Sequence, residues 1–177
     1  MQGERLFIRG CFKSPFSTVA IIHRLIQEME IAKGFEFKGR NKHQPSPRTQ
    51  SWIPLEDGYC KLNTDAAVGR AGTQGAVAAV FRNNQGDFIA ASAMVIPNIT
   101  DPETLEALAC LEALALAEDC GIRKMLVASD CLNVVKYIKE LPRCSYMMIL
   151  QDIFQRSKSC QYVRFVHEGR EGSSLSC

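Results

Sequence analysis

The sequence lacks the segments that mark secreted and membrane-spanning proteins. Its first residues contain no continuous apolar core of a signal peptide, and no apolar run is long enough to span a bilayer. It also has little net charge, and the value of +2 at pH 7 is too small to indicate a nucleic-acid binder by itself. We therefore expect an intracellular protein, in the nucleus or the cytoplasm, with no membrane partner.

Closely spaced cysteines are also absent. The eight cysteines are never closer than ten residues apart, so the sequence has no CxxC pair of the kind found in zinc and redox sites. Scattered cysteines without a secretory signal fit a reducing compartment, where most are small buried apolar groups. A disulfide framework is the alternative interpretation, and the sequence favours it less.

The 177 residues suffice for one domain with a sizeable core and an appendage. Residues 1–51 are predicted to form an N-terminal extension. It contains a helix over 17–33, whose apolar residues recur from Val19 to Met29, and a basic, proline-containing linker over 38–50. The apolar stripe of this helix needs a partner surface, either on the main domain, 52–177, or on another protein.

The main domain alternates strand and helix patterns in the order β-β-β-α-β-α-α-β. Hairpin-linked strands followed by βαβ crossovers predict an α/β domain with a mixed sheet. The hairpin turn NNQG separates the second and third strands, because Asn and Gly favour tight turns. The predicted strands are 59–68, 75–82, 87–95, 124–129 and 161–167, and the helices are 101–121, 131–141 and 144–158.

Three carboxylates occupy positions that later elements can bring together. Asp65 lies in the strand KLNTDAA, Glu106 in the first helix, and Asp130 directly after the fourth strand. An acid near the end of a central strand is costly to desolvate unless a partner such as a metal ion pairs with it. Each acid also has an ordinary interpretation. Asp65 would be a surface residue at a strand end, Asp130 the N-cap of the next helix, and Glu106 a solvent-facing acid like Glu112 and Glu118.

From about Trp52 to Cys177 the chain resembles the type 1 ribonuclease H domain, in its plant retroelement-like (reverse-transcriptase-like) branch. The resemblance rests on the ordered set W-x-P with KLNTDAA, GAVAAVFRNNQGDFIAAS, ETLEALACLEALALA, VASD and FVHEGREGSSLSC. It implies a ribonuclease H-like fold, a five-stranded mixed sheet in the order 3-2-1-4-5 with helices on both faces.

The resemblance also implies an activity. The family hydrolyses the RNA strand of RNA–DNA hybrids as a metal-dependent endonuclease with two divalent ions, Mg²⁺ or Mn²⁺. The matching metal ligands and catalytic acids here are Asp65, Glu106 and Asp130, and His167 matches a catalytic histidine that helps to release product or move a proton. Mg²⁺ prefers such oxygen ligands. The expected partner is an RNA–DNA hybrid, and the expected state is a monomer.

The end of the chain departs from the family pattern. Cys177 stands where a fourth acid or a histidine is usual, and the closing helix is truncated. A thiol is a soft, poor ligand for Mg²⁺, so the second ion loses one ligand. Ala66 replaces a usual glycine and would narrow access for the RNA backbone. The alternative is therefore a catalytically weakened, retroelement-derived domain for nucleic-acid binding or protein interaction. His167 would then be an ordinary strand-end histidine.

Overall fold

A computed structural model describes residues 5–9, 54–69 and 72–169 of the chain. The predicted helix 17–33, the linker 38–50 and Cys177 lie outside these residues. Six strands and three helices occur in the described part: β1 Arg5–Arg9, β2 Cys60–Val68, β3 Gln74–Arg82, β4 Phe88–Pro97, α1 Pro102–Asp119, β5 Lys124–Ser129, α2 Leu132–Glu140, α3 Met147–Ser157 and β6 Tyr162–His167.

All six strands join one sheet in the order β1-β4-β3-β2-β5-β6. The three hairpin-linked strands β2, β3 and β4 pair antiparallel, whereas β5 pairs parallel with both β2 and β6. The five strands of the main domain therefore follow the predicted order 3-2-1-4-5. The mixed sheet arises because tight turns connect antiparallel neighbours and helical crossovers connect parallel ones.

Strand β1 is an addition to that sheet. It pairs antiparallel with β4, with Arg5 opposite Met94 and Arg9 opposite Ala90. Its five residues are too few to establish a period in the sequence, and the pairing partner lies about 85 residues away along the chain. Part of the predicted N-terminal extension thus covers an edge that would otherwise present unpaired backbone groups.

The hairpin between β3 and β4 has the turn chemistry that the sequence indicates. The side-chain oxygen of Asn83 accepts hydrogen bonds from the backbone N–H groups of Gln85, at 2.9 Å, and Asp87, at 2.8 Å. Gly86 has a φ of 91°, which glycine adopts without strain. These contacts fix the register of the two strands.

Helix α1 is the central packing element of the domain. Asp101 caps it by accepting a hydrogen bond from the backbone N–H of Thr104 at 2.8 Å. The helix is buried on most of its circumference, because it packs on β2, β3 and β4 on one side and against α2 and α3 on the other. It therefore has no single apolar stripe, and polar residues on it, including Glu106, enter the interior.

One hydrophobic cluster contains side chains from all three helices and from the inward face of the sheet. Its fully buried members include Leu62, Phe81, Met125, Val134 and Leu150. The three described helices thus pack on the same face of the sheet, which is one of the two faces on which helices were expected. No helix in this part of the chain combines the length and the apolar character needed to cross a membrane.

Candidate metal centre

Asp65 is placed by the alternation of strand β2. Leu62 and Thr64 point into the core, whereas Asn63 and Asp65 are exposed. The hydroxyl of Thr64 donates a hydrogen bond of 3.1 Å to the backbone carbonyl of Ala128 on β5. This bond links β2 to β5 next to Asp65 and so supports the backbone that carries its carboxylate.

Glu106 lies in the second turn of α1 and is only 7% exposed. The hydroxyl of Ser129 donates a hydrogen bond of 3.2 Å to its Oε2 atom. Burial raises the pKa of Glu106 to about 7, and the negative charges of Asp130 and, to a lesser degree, Asp65 add to this effect, while the Ser129 hydrogen bond opposes it. Burial and the neighbouring negative charges therefore disfavour the ionised form of this carboxyl group, unless a cation is present.

Asp130 follows β5 directly and precedes α2. Its interpretation as the N-cap of that helix is wrong, because the N-cap residue is Cys131. The hydroxyl oxygen of Ser129 accepts a hydrogen bond of 3.1 Å from the backbone N–H of Cys131. Ser129 therefore connects the loop that carries Asp130 with the carboxylate of Glu106.

The three predicted acids converge. Asp65, Glu106 and Asp130 each offer a carboxylate oxygen within 4.8 Å of the others, and among the described residues they are the group of His, Cys, Asp and Glu side chains placed to hold a metal ion. Three carboxylates this close repel one another. A hard divalent cation such as Mg²⁺ fits this donor set, because it prefers carboxylate oxygens and is usually bound by only a few protein ligands.

An open depression of about 480 Å³ lies beside these carboxylates. Glu168, one of the residues that line it, forms an ion pair with Lys61, with Nζ and Oε2 2.7 Å apart. The lining itself contains acidic residues and no basic one among the described residues that form it. It consists of Asn63, Thr64, Asp65, Ala128, Ser129, Asp130 and Glu168. An anionic ligand would thus meet a negative surface unless a cation is bound there.

Comparison with known sequences identifies the family. A family model described as "Reverse transcriptase-like" matches residues 63–176, which include all three acids. The chain belongs to the reverse transcriptase-like family. No curated protein sequence matches the chain.

Solved structures place this reverse transcriptase-like domain among ribonuclease H-like folds. RNase H1 from the halophilic archaeon Halobacterium salinarum is 19% identical, with a TM-score of 0.58 over 63% of this chain and 86% of that one. The N-terminal RNase H domain of rv2228c from Mycobacterium tuberculosis is 14% identical, with a TM-score of 0.58 over 63% and 83%. LC11-RNase H1, solved in complex with an RNA/DNA hybrid, is 18% identical, with a TM-score of 0.55 over 63% and 86%. The predicted ribonuclease H-like fold is confirmed.

His167 lies at the edge of the candidate site in the reverse transcriptase-like domain. It is the last residue of β6, and its Nε2 atom is 3.2 Å from the backbone carbonyl oxygen of Asp130. Because a carbonyl oxygen only accepts hydrogen bonds, this contact requires a proton on Nε2. In this arrangement Nε2 donates to the main chain, and only Nδ1 is left to accept a proton.

Two residues of the site in this domain carry no functional signal in the sequence. Ser129 and Glu168 each flank a predicted residue, but nothing in their spacing distinguishes them from surface residues. Their roles depend on hydrogen bonds between distant segments, since Ser129 contacts Glu106 and Glu168 pairs with Lys61.

One expectation about a neighbouring residue changes. Glu112 is not a solvent-facing acid like Glu118, because it is 6% exposed and accepts a hydrogen bond from the hydroxyl of Ser92. Ala66 packs with Val77 and Leu105, and its effect on access for the RNA backbone stays a prediction.

Proposed function

We propose that the chain is a metal-dependent endonuclease that hydrolyses the RNA strand of RNA–DNA hybrids. The observation that carries this proposal is the convergence of Asp65, Glu106 and Asp130 within 4.8 Å on a ribonuclease H-like sheet. Family membership supports a nuclease, and the solved complex of LC11-RNase H1 with an RNA/DNA hybrid supports the choice of substrate.

The three carboxylates would hold Mg²⁺ or Mn²⁺ between β2, α1 and the end of β5. When bound, such a cation supplies Lewis-acid stabilisation of the charge that develops at the scissile phosphodiester. Asp65 and Asp130 face the open depression and would bind the cation from the side where the substrate enters. The buried Glu106 would bind it from the protein interior. The acidic lining makes binding of a phosphodiester depend on the cation.

His167 is the candidate for proton transfer or product release. Its Nε2 atom is engaged with the carbonyl oxygen of Asp130, so the imidazole is oriented beside the ligand loop. We propose that this contact fixes the ring while Nδ1 exchanges a proton with solvent or the leaving group.

The test is cleavage of an RNA–DNA hybrid labelled on each strand, by the full chain with Mg²⁺ or Mn²⁺ and with EDTA. Asp65→Asn and Asp130→Asn keep the side-chain shape and remove the charge, and Glu118→Gln is the matched control on an exposed acid. We expect cation-dependent cutting of the RNA strand alone, with unchanged activity in the control. In both Asn variants activity should fall by about a hundredfold or more, because even residues that only orient metal ligands cost about 10- to 100-fold when they are removed.

If the folded protein binds the hybrid but cuts neither strand, the proposed nuclease activity is refuted and the nucleic-acid-binding alternative is supported. A protein that neither cuts nor binds hybrids would leave protein interaction as the remaining interpretation.

A further inference from the structure

A single carboxylate one turn before Glu106 connects the beginnings of all three described helices. Glu103, the second residue of α1, accepts a hydrogen bond of 2.6 Å from Nδ2 of Asn133 and one of 3.0 Å from the hydroxyl of Tyr146. Asn133 is the second residue of α2, and Tyr146 directly precedes α3. Hydrogen bonds to a charged acceptor are stronger than those between neutral groups.

The N-terminus of α2 has few stabilising groups of its own. Its N-cap residue, Cys131, makes no side-chain hydrogen bond to the helix, and its first turn contains no acidic residue. Helix N-termini carry unpaired N–H groups and a partial positive charge, which a nearby carboxylate stabilises. Glu103 supplies such a carboxylate from the neighbouring helix.

This connection joins two of the three segments that carry the candidate metal ligands. Glu106 lies three residues after Glu103 on α1, and Asp130 lies three residues before Asn133 at the entrance to α2. The Glu103–Asn133 hydrogen bond therefore joins the segment that carries Glu106 to the segment that carries Asp130. Ser129 forms an inner link between the same elements, and Glu103 forms an outer one.

Tyr146 fixes the orientation of the Glu103 carboxylate. The Tyr146 side chain is buried, with 4% of the residue exposed, and its ring stacks on Tyr137 of α2 with centroids 6.2 Å apart. A buried hydroxyl that lacks a partner is costly, so this arrangement favours one position for the Glu103 carboxylate. Both oxygens of Glu103 are thus engaged with protein donors, and the residue acts through other residues.

We propose that Glu103 is a positioning residue for the candidate metal centre. Its carboxylate holds the start of α2 against α1 and thereby keeps Asp130 at ligand distance from Glu106, against the repulsion between their charges. This inference rests on the proposed function, because it assumes that these acids bind a cation. Residues that orient metal ligands typically change metal affinity about 10- to 100-fold when they are removed.

Glu118 provides a matched control on the same helix. It also connects α1 with α3, through a 3.2 Å ion pair with Arg156, but it lies at the opposite end of α1. Glu118→Ala removes the same type of side chain and a contact between α1 and α3, far from the ligands. Its side chain is 69% exposed, so we expect its loss to have little effect on stability.

The experiment compares the full chain with Glu103→Ala, Glu103→Gln and Glu118→Ala. Mn²⁺ affinity is measured by calorimetry, and amide hydrogen exchange of residues 131–137 is measured in EDTA. We expect Glu103→Ala to weaken Mn²⁺ binding about tenfold or more and to accelerate exchange in this segment, with Glu118→Ala unchanged in both. Glu103→Gln keeps one acceptor oxygen, so it should give an intermediate affinity.

Unchanged Mn²⁺ affinity in Glu103→Ala would overturn the positioning role, even if exchange became faster. Unchanged exchange would overturn the link to α2. A wild-type chain that binds no Mn²⁺ would refute the proposed cation site itself. That outcome differs from any difference in Mn²⁺ affinity between wild type and the variants. The exchange measurement would then still decide whether Glu103 holds α2.

Discussion

Replacing Glu106 with glutamine should change how the stability of the metal-free protein depends on pH. The pKa of Glu106 rises from its ordinary value of 4.5 to about 7 in the folded chain, first because of burial and then because of the charges of Asp130 and Asp65. The folded state therefore retains a proton that the unfolded state loses between pH 4.5 and 7. Glutamine has no such proton, so this contribution disappears in the variant.

The sign and size of the effect follow from that pKa. A group whose pKa is raised on folding contributes stability that is complete below its unfolded pKa and is lost as the pH rises through its folded pKa. The shift to about 7 corresponds to a loss of about 3 kcal/mol in the free energy of unfolding between pH 4 and pH 8. Between pH 4 and pH 8, the free energy of unfolding of wild type should therefore fall by this amount more than that of Glu106→Gln.

Urea unfolding in EDTA at pH 4, 5, 6, 7 and 8 measures this difference directly. The exposed Glu118 on the same helix supplies the control, since Glu118→Gln should follow the pH dependence of wild type. Adding Mg²⁺ or Mn²⁺ should reverse the trend in wild type, because the cation binds the ionised carboxylate and stabilises the folded state more at higher pH. Parallel pH profiles for wild type and Glu106→Gln in EDTA would refute the reasoning.

Two further predictions concern packing around α1. Gly75→Ala should destabilise the fold by about 1–3 kcal/mol in urea unfolding, because a Cβ there would overlap the fully buried side chain of Leu105; an unchanged midpoint would show that Leu105 relaxes freely. Ser92→Ala should cost about 1–3 kcal/mol, because it removes a donor to the buried carboxylate of Glu112; a cost near zero would show that this hydrogen bond contributes nothing net.

The elements of the main domain are predictable from sequence because their signals are local. Hydrophobic alternation marks β2 and β3, the Asn83–Asp87 turn separates β3 from β4, and Asp101 and Gly121 bound α1. Their assembly into the 3-2-1-4-5 order required the resemblance to the ribonuclease H domain. Local pattern restricts a strand to a sheet but does not select its neighbour.

The features that sequence reasoning missed depend on contacts between distant residues. Strand β1 gains its conformation by pairing with β4, and its five residues carry no period of their own. Glu112 has the spacing and residue type of an ordinary helix acid, yet burial of α1 on most sides places it in the interior beside Ser92. The helical period of apolar residues identifies one buried face of a helix. It therefore does not predict which residues are buried when other elements pack around most of the helix.

The energetics of Glu106 link this burial to the proposed cation. A solvent-facing acid on α1 would ionise at little cost, but α1 is enclosed and carries Glu106 inward, towards two other carboxylates. Ser129 offsets part of that cost with one hydrogen bond, and the remaining cost stays as a raised pKa. Binding of a divalent cation removes both the repulsion and the penalty for ionisation. The site should therefore gain more stability from the cation than an exposed cluster of three acids would, and that gain should be lost in Glu106→Gln.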